Sequence, residues 1–412
     1  MDDRKFGLLG RTLGHSWSPQ IHGDLADYEY KLYEVEPEDL DRFLTTTDLA
    51  GMNVTIPYKK DVVPYCAALS DAAARIGSVN TLVRRTDGWY GDNTDYTGFR
   101  YIVERSGVNV RGKKTLVFGT GGASLAVKAA LADLGAGPVV SVSRTGENNY
   151  GNLDRHRDAR ILVNTAPLGM YPNTGTAPVD LADFPSCEGV FDVVYNPQRT
   201  AFLLEAERLG IPHAGGLGML VAQAWRSAEQ FAGHDIPKTM IEKIMSPLSF
   251  RMSNIILIGM PGCGKSSVGR ALAKALGRPF IDADAEIEKG AGRSIPDIFA
   301  SEGEEGFRQR ETAVLASLGK LSGAVIATGG GCVTRRSNYP LLHQNGVIVW
   351  LQRDLSKLPT AGRPLSQQNS AQTLYAQRKD SYAAFADVTV DNDLPFEAAV
   401  YKTIMTVKEA LQ

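Results

Sequence analysis

The stretch Asn254-Ile-Ile-Leu-Ile258-Gly259-Met-Pro-Gly262-Cys-Gly264-Lys265-Ser266-Ser267 sets an unbroken apolar run directly against a glycine loop. The loop satisfies GxxxxGK(S/T), and the amphipathic sequence SSVGRALAKALG follows it, so strand, loop and helix stand in the order that a phosphate-binding P-loop requires. Glycines there let successive backbone N–H groups turn inward around phosphates, and the helix N-terminus adds positive potential. Gly262, Gly264 and Ser267 belong to that cradle, Lys265 reaches the β- and γ-oxygens, and the Ser266 hydroxyl ligates Mg²⁺. A glycine-rich turn is the competing account, but it needs neither the lysine nor both flanking elements. The further strands PFIDAD, GAVIATGGG and GVIVWLQ make this region a complete α/β sandwich.

Working back toward the N-terminus, a second glycine loop, Gly119-Thr-Gly121-Gly122-Ala123-Ser124, follows the strand TLVF and opens the helical run ASLAVKAALADLG. With PVVSVSR next, this is a βαβ unit, and ARILVNTAP and GVFDVVYNP extend its parallel sheet. The loop is not a full GxGxxG, and an ordinary glycine turn competes with dinucleotide binding. Before it, FGLLG, YKLYEVE, GMNVTIP and NTLVRR alternate with helical stretches, again as α/β. The helical MLVAQAWRSAEQFAG is expected to pack back on this first domain, and IMSPLSFRMSN, with Pro247 and no clear period, reads as a linker near Phe250.

A chain of 412 residues exceeds what one core usually organises. No apolar run approaches the ~20 residues that span a bilayer, and MDDRKFGLLGRT lacks the features of a secretory signal, so the expected location is cytoplasmic. A net charge of −2 leaves no basic excess for nucleic acid. The four cysteines are far apart and show no metal-ligand spacing.

Chemistry-bearing residues cluster in both halves. Asp282 and Asp284, two apart at the end of PFIDAD, are expected on one face of a strand, one to serve magnesium and the other an alcohol. Arg308 and Glu311, three apart on a helix, form either an oriented pair or an exposed one. Gly329-Gly330-Gly331 permits close approach of a substrate or makes a tight turn. In the first half, Ser16 and Ser18 precede a helix that Pro19 can start, and either cap it or bind a carboxylate. Lys59 and Asp95 sit at element ends, where such residues are usually solvated. The strand PVVSVS ends in Ser143-Arg144-Thr145 without the acid that would hold the ribose of NAD, which favours NADP.

From Met252 onward the chain resembles shikimate kinase. The family's ordered features stand here as Asp282 with Asp284, Phe307-Arg308 with Glu311, Gly329 to Gly331, Arg363-Pro364-Leu365, and Arg378 before Tyr382. The resemblance implies that Asp284 holds the substrate hydroxyls and assists deprotonation, that Asp282 supports magnesium, and that Arg308 and Arg378 grip the substrate carboxylate beside Gly330. It implies that Arg363 swings in on a lid to neutralise the transferring phosphoryl group. The lid, QRDLSKLPTAG, departs from the family by its short length and by lacking the arginine expected along the adenine, for which Lys357 or Arg353 would substitute.

From Phe6 to about Gly233 the chain resembles shikimate dehydrogenase, through LLGRTLGHSWSP, NVTIPYK, GSVNTL, GDNTD, GTGGAS, DVVYNP and GGLGMLVAQ in family order. The resemblance implies a carboxylate site at Ser16 and Ser18, ring-hydroxyl contacts from Thr55, Asn80 and Gln223 with the catalytic pair Lys59 and Asp95, and Tyr195 near the nicotinamide. It implies a dinucleotide held by Gly119, Gly121, Gly122, Ala123, Ser143, Arg144 and Thr145. Departures are His22-Gly23 for HN, SRT for NRT at Ser143, and Tyr96 after GDNTD.

Together these readings predict an α/β chain: a substrate-binding α/β domain (1–98 and 215–245), a Rossmann NADP-binding domain (99–214), a linker (246–252), and a P-loop NTPase-type, nucleoside monophosphate kinase-like domain (253–412). The expected function is reduction of 3-dehydroshikimate with NADPH and phosphorylation of shikimate with Mg-ATP. The expected partners are small molecules, with neither nucleic acid nor membrane involved; the sequence leaves the oligomeric state open and is compatible with a monomer. The rivals are a non-catalytic quinate or shikimate sensor or repressor on the same folds, which would not need Lys59, Asp95, Lys265 or Asp284, and an NAD-dependent quinate dehydrogenase fused to a kinase.

Overall fold

The structure, a computed structural model, describes residues 2–14, 16–358 and 371–411. Contacts divide the chain into two compact units, Met1–Tyr195 with Phe202–Met245, and Asn196–Ala201 with Ser246–Gln412.

The first unit opens with a six-stranded sheet. Its strands are β1 (Asp2–Gly10), β2 (Tyr28–Glu34), β3 (Gly51–Val54), β4 (Cys66–Leu69), β5 (Thr81–Arg85) and β6 (Gly88–Asp92), in the order β2-β1-β3-β5-β6-β4. Helices α1 (Ser18–Leu25), α2 (Leu40–Thr46) and α3 (Asp71–Ile76) connect them. β1 runs parallel to β2 and β3, whereas β5 is antiparallel to both β3 and β6. The sequence reading missed β6: Asp87-Gly88 is a hairpin turn signal, and Arg85 pairs with Gly88 across it, with Gly88 at φ +128°. It also missed β4, whose outer residues are half-buried and inner two exposed, so that no alternation marks it.

A second, all-parallel sheet follows, ordered β11-β10-β9-β7-β8, from β7 (Thr115–Phe118), β8 (Val139–Val142), β9 (Ile161–Asn164), β10 (Gly189–Asp192) and the two-residue β11 (His213–Ala214). β7, β9 and β10 are buried at every residue, as expected of strands covered on both faces. The associated helices are α4 (Asp95–Ser106), α5 (Gly122–Asp133), α6 (Ala201–Arg208) and α7 (Gly216–Ala232). A Cβ at Gly98 would lie 2.6 Å from the Met219 carbonyl oxygen and 3.2 Å from Gln223 Cβ, so glycine sets the approach of α4, which begins at Asp95, to α7, which carries Gln223.

The stretch 246–252, read as a linker, is instead the second half of α8 (Thr239–Met252), with Pro247 inside the helix. Loss of one N–H there is offset by burial of Leu248 and Met252.

The second unit is a five-stranded parallel sheet, β13-β14-β12-β15-β16, from β12 (Asn254–Ile258), β13 (Phe280–Asp282), β14 (Val325–Ala327), β15 (Gly346–Gln352) and β16 (Val388–Asp391). The last is an edge strand that the sequence reading did not identify. Its helices are α9 (Lys265–Leu276), α10 (Ala283–Ala291), α11 (Ile295–Leu318), α12 (Asn338–His343), α13 (Ala371–Phe385) and α14 (Phe396–Glu409). All five residues of β12 are buried, and Ile255 to Ile258 form the centre of the core. Among the described residues, no helix is long and apolar enough to cross a membrane.

Candidate active sites

In the first unit the ends of β3, β5 and β6 bring the predicted residues together. Lys59 Nζ donates to Asp95 Oδ2 at 2.5 Å, and the two side chains are only 18% and 9% exposed. Asn80 Nδ2 donates to the other oxygen, Asp95 Oδ1, at 2.9 Å, so both carboxylate oxygens are held. These are not the solvated end-of-element charges that spacing alone suggested. Asn80 Oδ1 in turn accepts from the Thr94 backbone at 2.7 Å, and Thr94 Oγ1 lies 3.4 Å from Gln223 Oε1. Thr94 and the buried Asn53, which accepts from Tyr30 Oη at 2.7 Å, were not singled out earlier, although both lie inside GDNTD and NVTIPYK.

Ser16 Oγ donates to Ser18 Oγ at 3.1 Å, and the residue that caps α1, Trp17, makes no side-chain capping bond. Ser16 Oγ also accepts from the Ser18 backbone N–H, the first of α1, at 3.2 Å, so this hydroxyl ties down the helix start as well as its partner serine. Thr55 is half-buried just beyond β3. Tyr195 stands three residues past β10, and burial pushes its hydroxyl pKa up. Among the described residues no hydrogen bond links Tyr195 to the Lys59–Asp95 pair.

The glycine loop closes on this cluster. Gly119 is at φ +113°, where a Cβ would meet Thr165 Oγ1 at 2.7 Å. No side chain caps α5, so the first-turn N–H groups around Gly122 and Ala123 are open to an anion, and a Cβ at Gly121 would meet nothing within 4 Å. A Cβ at Gly122 would lie 3.5 Å from Lys59 Cδ, which puts the start of α5 against the lysine. Beyond β8, Ser143 Oγ accepts from the Gly146 backbone at 2.8 Å, while Arg144 and Thr145 are exposed.

In the second unit a cavity of about 580 Å³ is bounded by the P-loop, by the start of α10, by α11 and by Gly329 to Gly331. Gly262 and Gly264 have φ of +85° and +103°, the left-handed backbone that only glycine adopts without strain. Ser267 also lines the cavity. Lys265, 8% exposed, donates to the carbonyls of Gly259 at 2.9 Å and Met260 at 3.1 Å. Ser266 Oγ donates to Asp282 Oδ2 at 2.7 Å.

Asp282 and Asp284 do not share a strand face. Asp282 ends β13 and caps α10, its Oδ1 accepting from the Asp284 backbone at 3.1 Å, so Asp284 lies in the helix's first turn. The capping bond turns the chain before the strand period can place the second aspartate. Asp284 Oδ1 is buried without a partner, and burial pushes this carboxyl up to about 6; Lys265 and Arg308 oppose the shift, while Asp282 and Glu311 add to it. A Cβ at Gly329 would meet Asp284 Oδ1 at 2.7 Å and Glu311 Oε1 at 2.8 Å, so the glycine triplet admits both carboxylates.

Arg308 and Glu311 are a buried pair, joined at 2.7 Å with side chains 6% and 1% exposed, which removes the exposed alternative. Arg378, on α13, donates to the Gly330 carbonyl at 3.1 Å. Arg363 lies outside the described residues.

Comparison with known proteins matches both units. A shikimate kinase family model matches residues 261–408, and one for the shikimate dehydrogenase substrate binding domain matches residues 8–82. The chain is similar to a shikimate dehydrogenase (NADP(+)) of Clostridium beijerinckii, 37% identical over 243 residues, covering 54% of this chain and 90% of that protein. A chorismate mutase/shikimate 5-dehydrogenase fusion protein from Clostridium acetobutylicum is similar in structure, with a TM-score of 0.57 and 34% identity over 60% of this chain and 98% of the other. The shikimate 5-dehydrogenase of Thermus thermophilus in complex with NADP(H) and shikimate gives a TM-score of 0.54 and 29% identity over 59% and 99% of the two chains. With both halves matched in this order, the chain belongs to the shikimate dehydrogenase family and carries a shikimate kinase domain in its second unit.

Proposed function

We propose that the first unit reduces 3-dehydroshikimate to shikimate with NADPH and that the second converts shikimate to shikimate 3-phosphate with Mg-ATP. The observation that carries this reading is the same in both units: a half-buried proton-transfer residue, Lys59 or Asp284, stands beside a glycine loop built for phosphate. A sensor would have no use for an ion pair braced by a third side chain, Asn80, nor for a desolvated carboxylate facing a P-loop lysine.

When bound, NADPH supplies a hydride to the 3-keto carbon, and magnesium-ATP supplies the phosphoryl group. The residues present fit both. The uncapped start of α5 and the exposed Arg144 suit a dinucleotide with a 2′-phosphate. Among the described residues no cluster of three acidic, His or Cys side chains could hold a metal alone, so magnesium would arrive with the nucleotide and meet Ser266, with Asp282 behind it.

In the first unit Ser16 and Ser18 bind the substrate carboxylate, and Thr55, Asn80 and Gln223 bind the ring hydroxyls. Lys59 Nζ gives its proton to the oxygen that becomes negative, while Asp95 and Asn80 fix its position. Tyr195 covers the substrate. In the second unit Arg308 and Arg378 hold the carboxylate, Asp284 accepts the proton of the attacking hydroxyl, and Lys265 leaves its two carbonyls for phosphate oxygens.

Purified chain given 3-dehydroshikimate, NADPH and Mg-ATP should accumulate shikimate 3-phosphate by mass spectrometry. Accumulation of shikimate alone would remove the kinase half of the reading. Arg144→Ala should raise KM for NADPH about tenfold or more and leave KM for NADH nearly unchanged, as expected for loss of a charged phosphate contact. Equal changes for the two cofactors would count against Arg144 as the 2′-phosphate ligand.

A further inference from the structure

Among the described residues the kinase cavity is lined by four cationic side chains, Lys265, Arg308, Arg353 and Arg378. Three of them are engaged. Lys265 donates to two P-loop carbonyls, Arg308 is paired with Glu311, and Arg378 donates to Gly330. Arg353 has no hydrogen bond or ion pair among the described residues, and its Nε is sealed from water without an acceptor. A guanidinium N–H shielded in this way forfeits hydrogen bonds that water would otherwise supply, so it favours any anion that can satisfy it.

The root of Arg353 is tied to the phosphate loop. It follows β15 directly, and β15 pairs with the strand that feeds the P-loop, Trp350 opposite Ile258. Asn392 fixes the junction, its backbone N–H donating to the Gln352 carbonyl at 2.7 Å and its Nδ2 to the Cys263 carbonyl at 2.5 Å. The other cation of the shortened lid, Lys357, is paired with Asp393 at 3.0 Å.

We infer that Arg353 binds the polyphosphate of the nucleotide, as a second fixed cation opposite Lys265. The inference rests on the kinase reading of the second unit. A guanidinium edge can take two phosphate oxygens at once, and the position at the end of β15 holds it there without movement of the lid. Among the described residues the other three cavity cations already have hydrogen-bonded partners, whereas Arg353 has only the nearby charge of Asp393, itself paired with Lys357, so a phosphate would supply the partner it lacks.

The test compares steady-state kinase kinetics of wild type, Arg353→Ala, Arg353→Lys and Lys357→Ala, with competitive inhibition by ADP and AMP. Arg353→Ala should raise KM for Mg-ATP about 10- to 100-fold, the range for a lost charge-assisted hydrogen bond. KM for shikimate should stay within about twofold, because the carboxylate site is separate. ADP should lose affinity by a similar factor while AMP loses little, which distinguishes a contact to the outer phosphates from one to the base, and Arg353→Lys should recover part of the loss. Dehydrogenase activity and a thermal melt report whether each variant is folded. An unchanged KM for Mg-ATP in Arg353→Ala overturns the inference, as does a loss equal for ADP and AMP, or one that appears in Lys357→Ala instead. If wild type transfers no phosphoryl group, the kinase reading itself fails, a result distinct from any of these.

Discussion

Lys59→Ala is expected to cut dehydrogenase turnover by about 10²- to 10⁴-fold, the usual contribution of a positioned proton donor, while KM for the substrate changes only a few-fold. Negative charge develops on the carbonyl oxygen only as the hydride arrives, so an ammonium placed there acts on the transition state and hardly on the ground state. Asp95, itself held by Asn80, already holds the ammonium in place, so little rearrangement accompanies the reaction. The kinase activity of the same variant serves as the internal control. A variant that kept its turnover and lost only affinity would make Lys59 a binding residue.

Asp284→Asn is the kinase counterpart, with an expected loss of about 10²- to 10⁴-fold in phosphoryl transfer and no change in dehydrogenase activity. Its diagnostic is pH. Burial pushes the Asp284 carboxyl up to about 6 in the free protein, and the base is the deprotonated form. As pH falls through about 6 the base is therefore lost, and kcat/KM of the kinase should drop toward tenfold per pH unit below it. The residual activity of Asp284→Asn should lack this limb. A limb that persisted at the same pH in the variant would belong to another group, and Asp284 would lose its assigned role.

How legible these sites were depended on what each signal requires. The P-loop needed only local sequence, because its strand, glycines, lysine and helix are contiguous and the chemistry follows from their order. The parallel sheets were legible for the same reason, since their strands are continuous apolar runs. The strands β4, β11 and β16 were not, because each is too short or too irregular in burial to show a period, and β6 was not because one of its two buried positions is Gly91, which leaves no apolar alternation in the sequence. The expectation of a shared strand face for Asp282 and Asp284 failed because one capping hydrogen bond changed the period from strand to helix within a residue. The stretch 246–252, at whose start the two units divide, was read as irregular and is helical because proline was weighed without the burial that offsets it.

The sequence by itself determined two nucleotide-binding α/β units, the phosphate loops and the identity of the charged residues available to them. Only the tertiary structure decided which charges are desolvated and paired: Lys59 with Asp95 and Asn80, Arg308 with Glu311, and Asp284 and Arg353 left with unsatisfied atoms. The physical reason is that an ion's partners and its solvent are supplied by segments remote in the chain, so its energy is set after the sheets assemble.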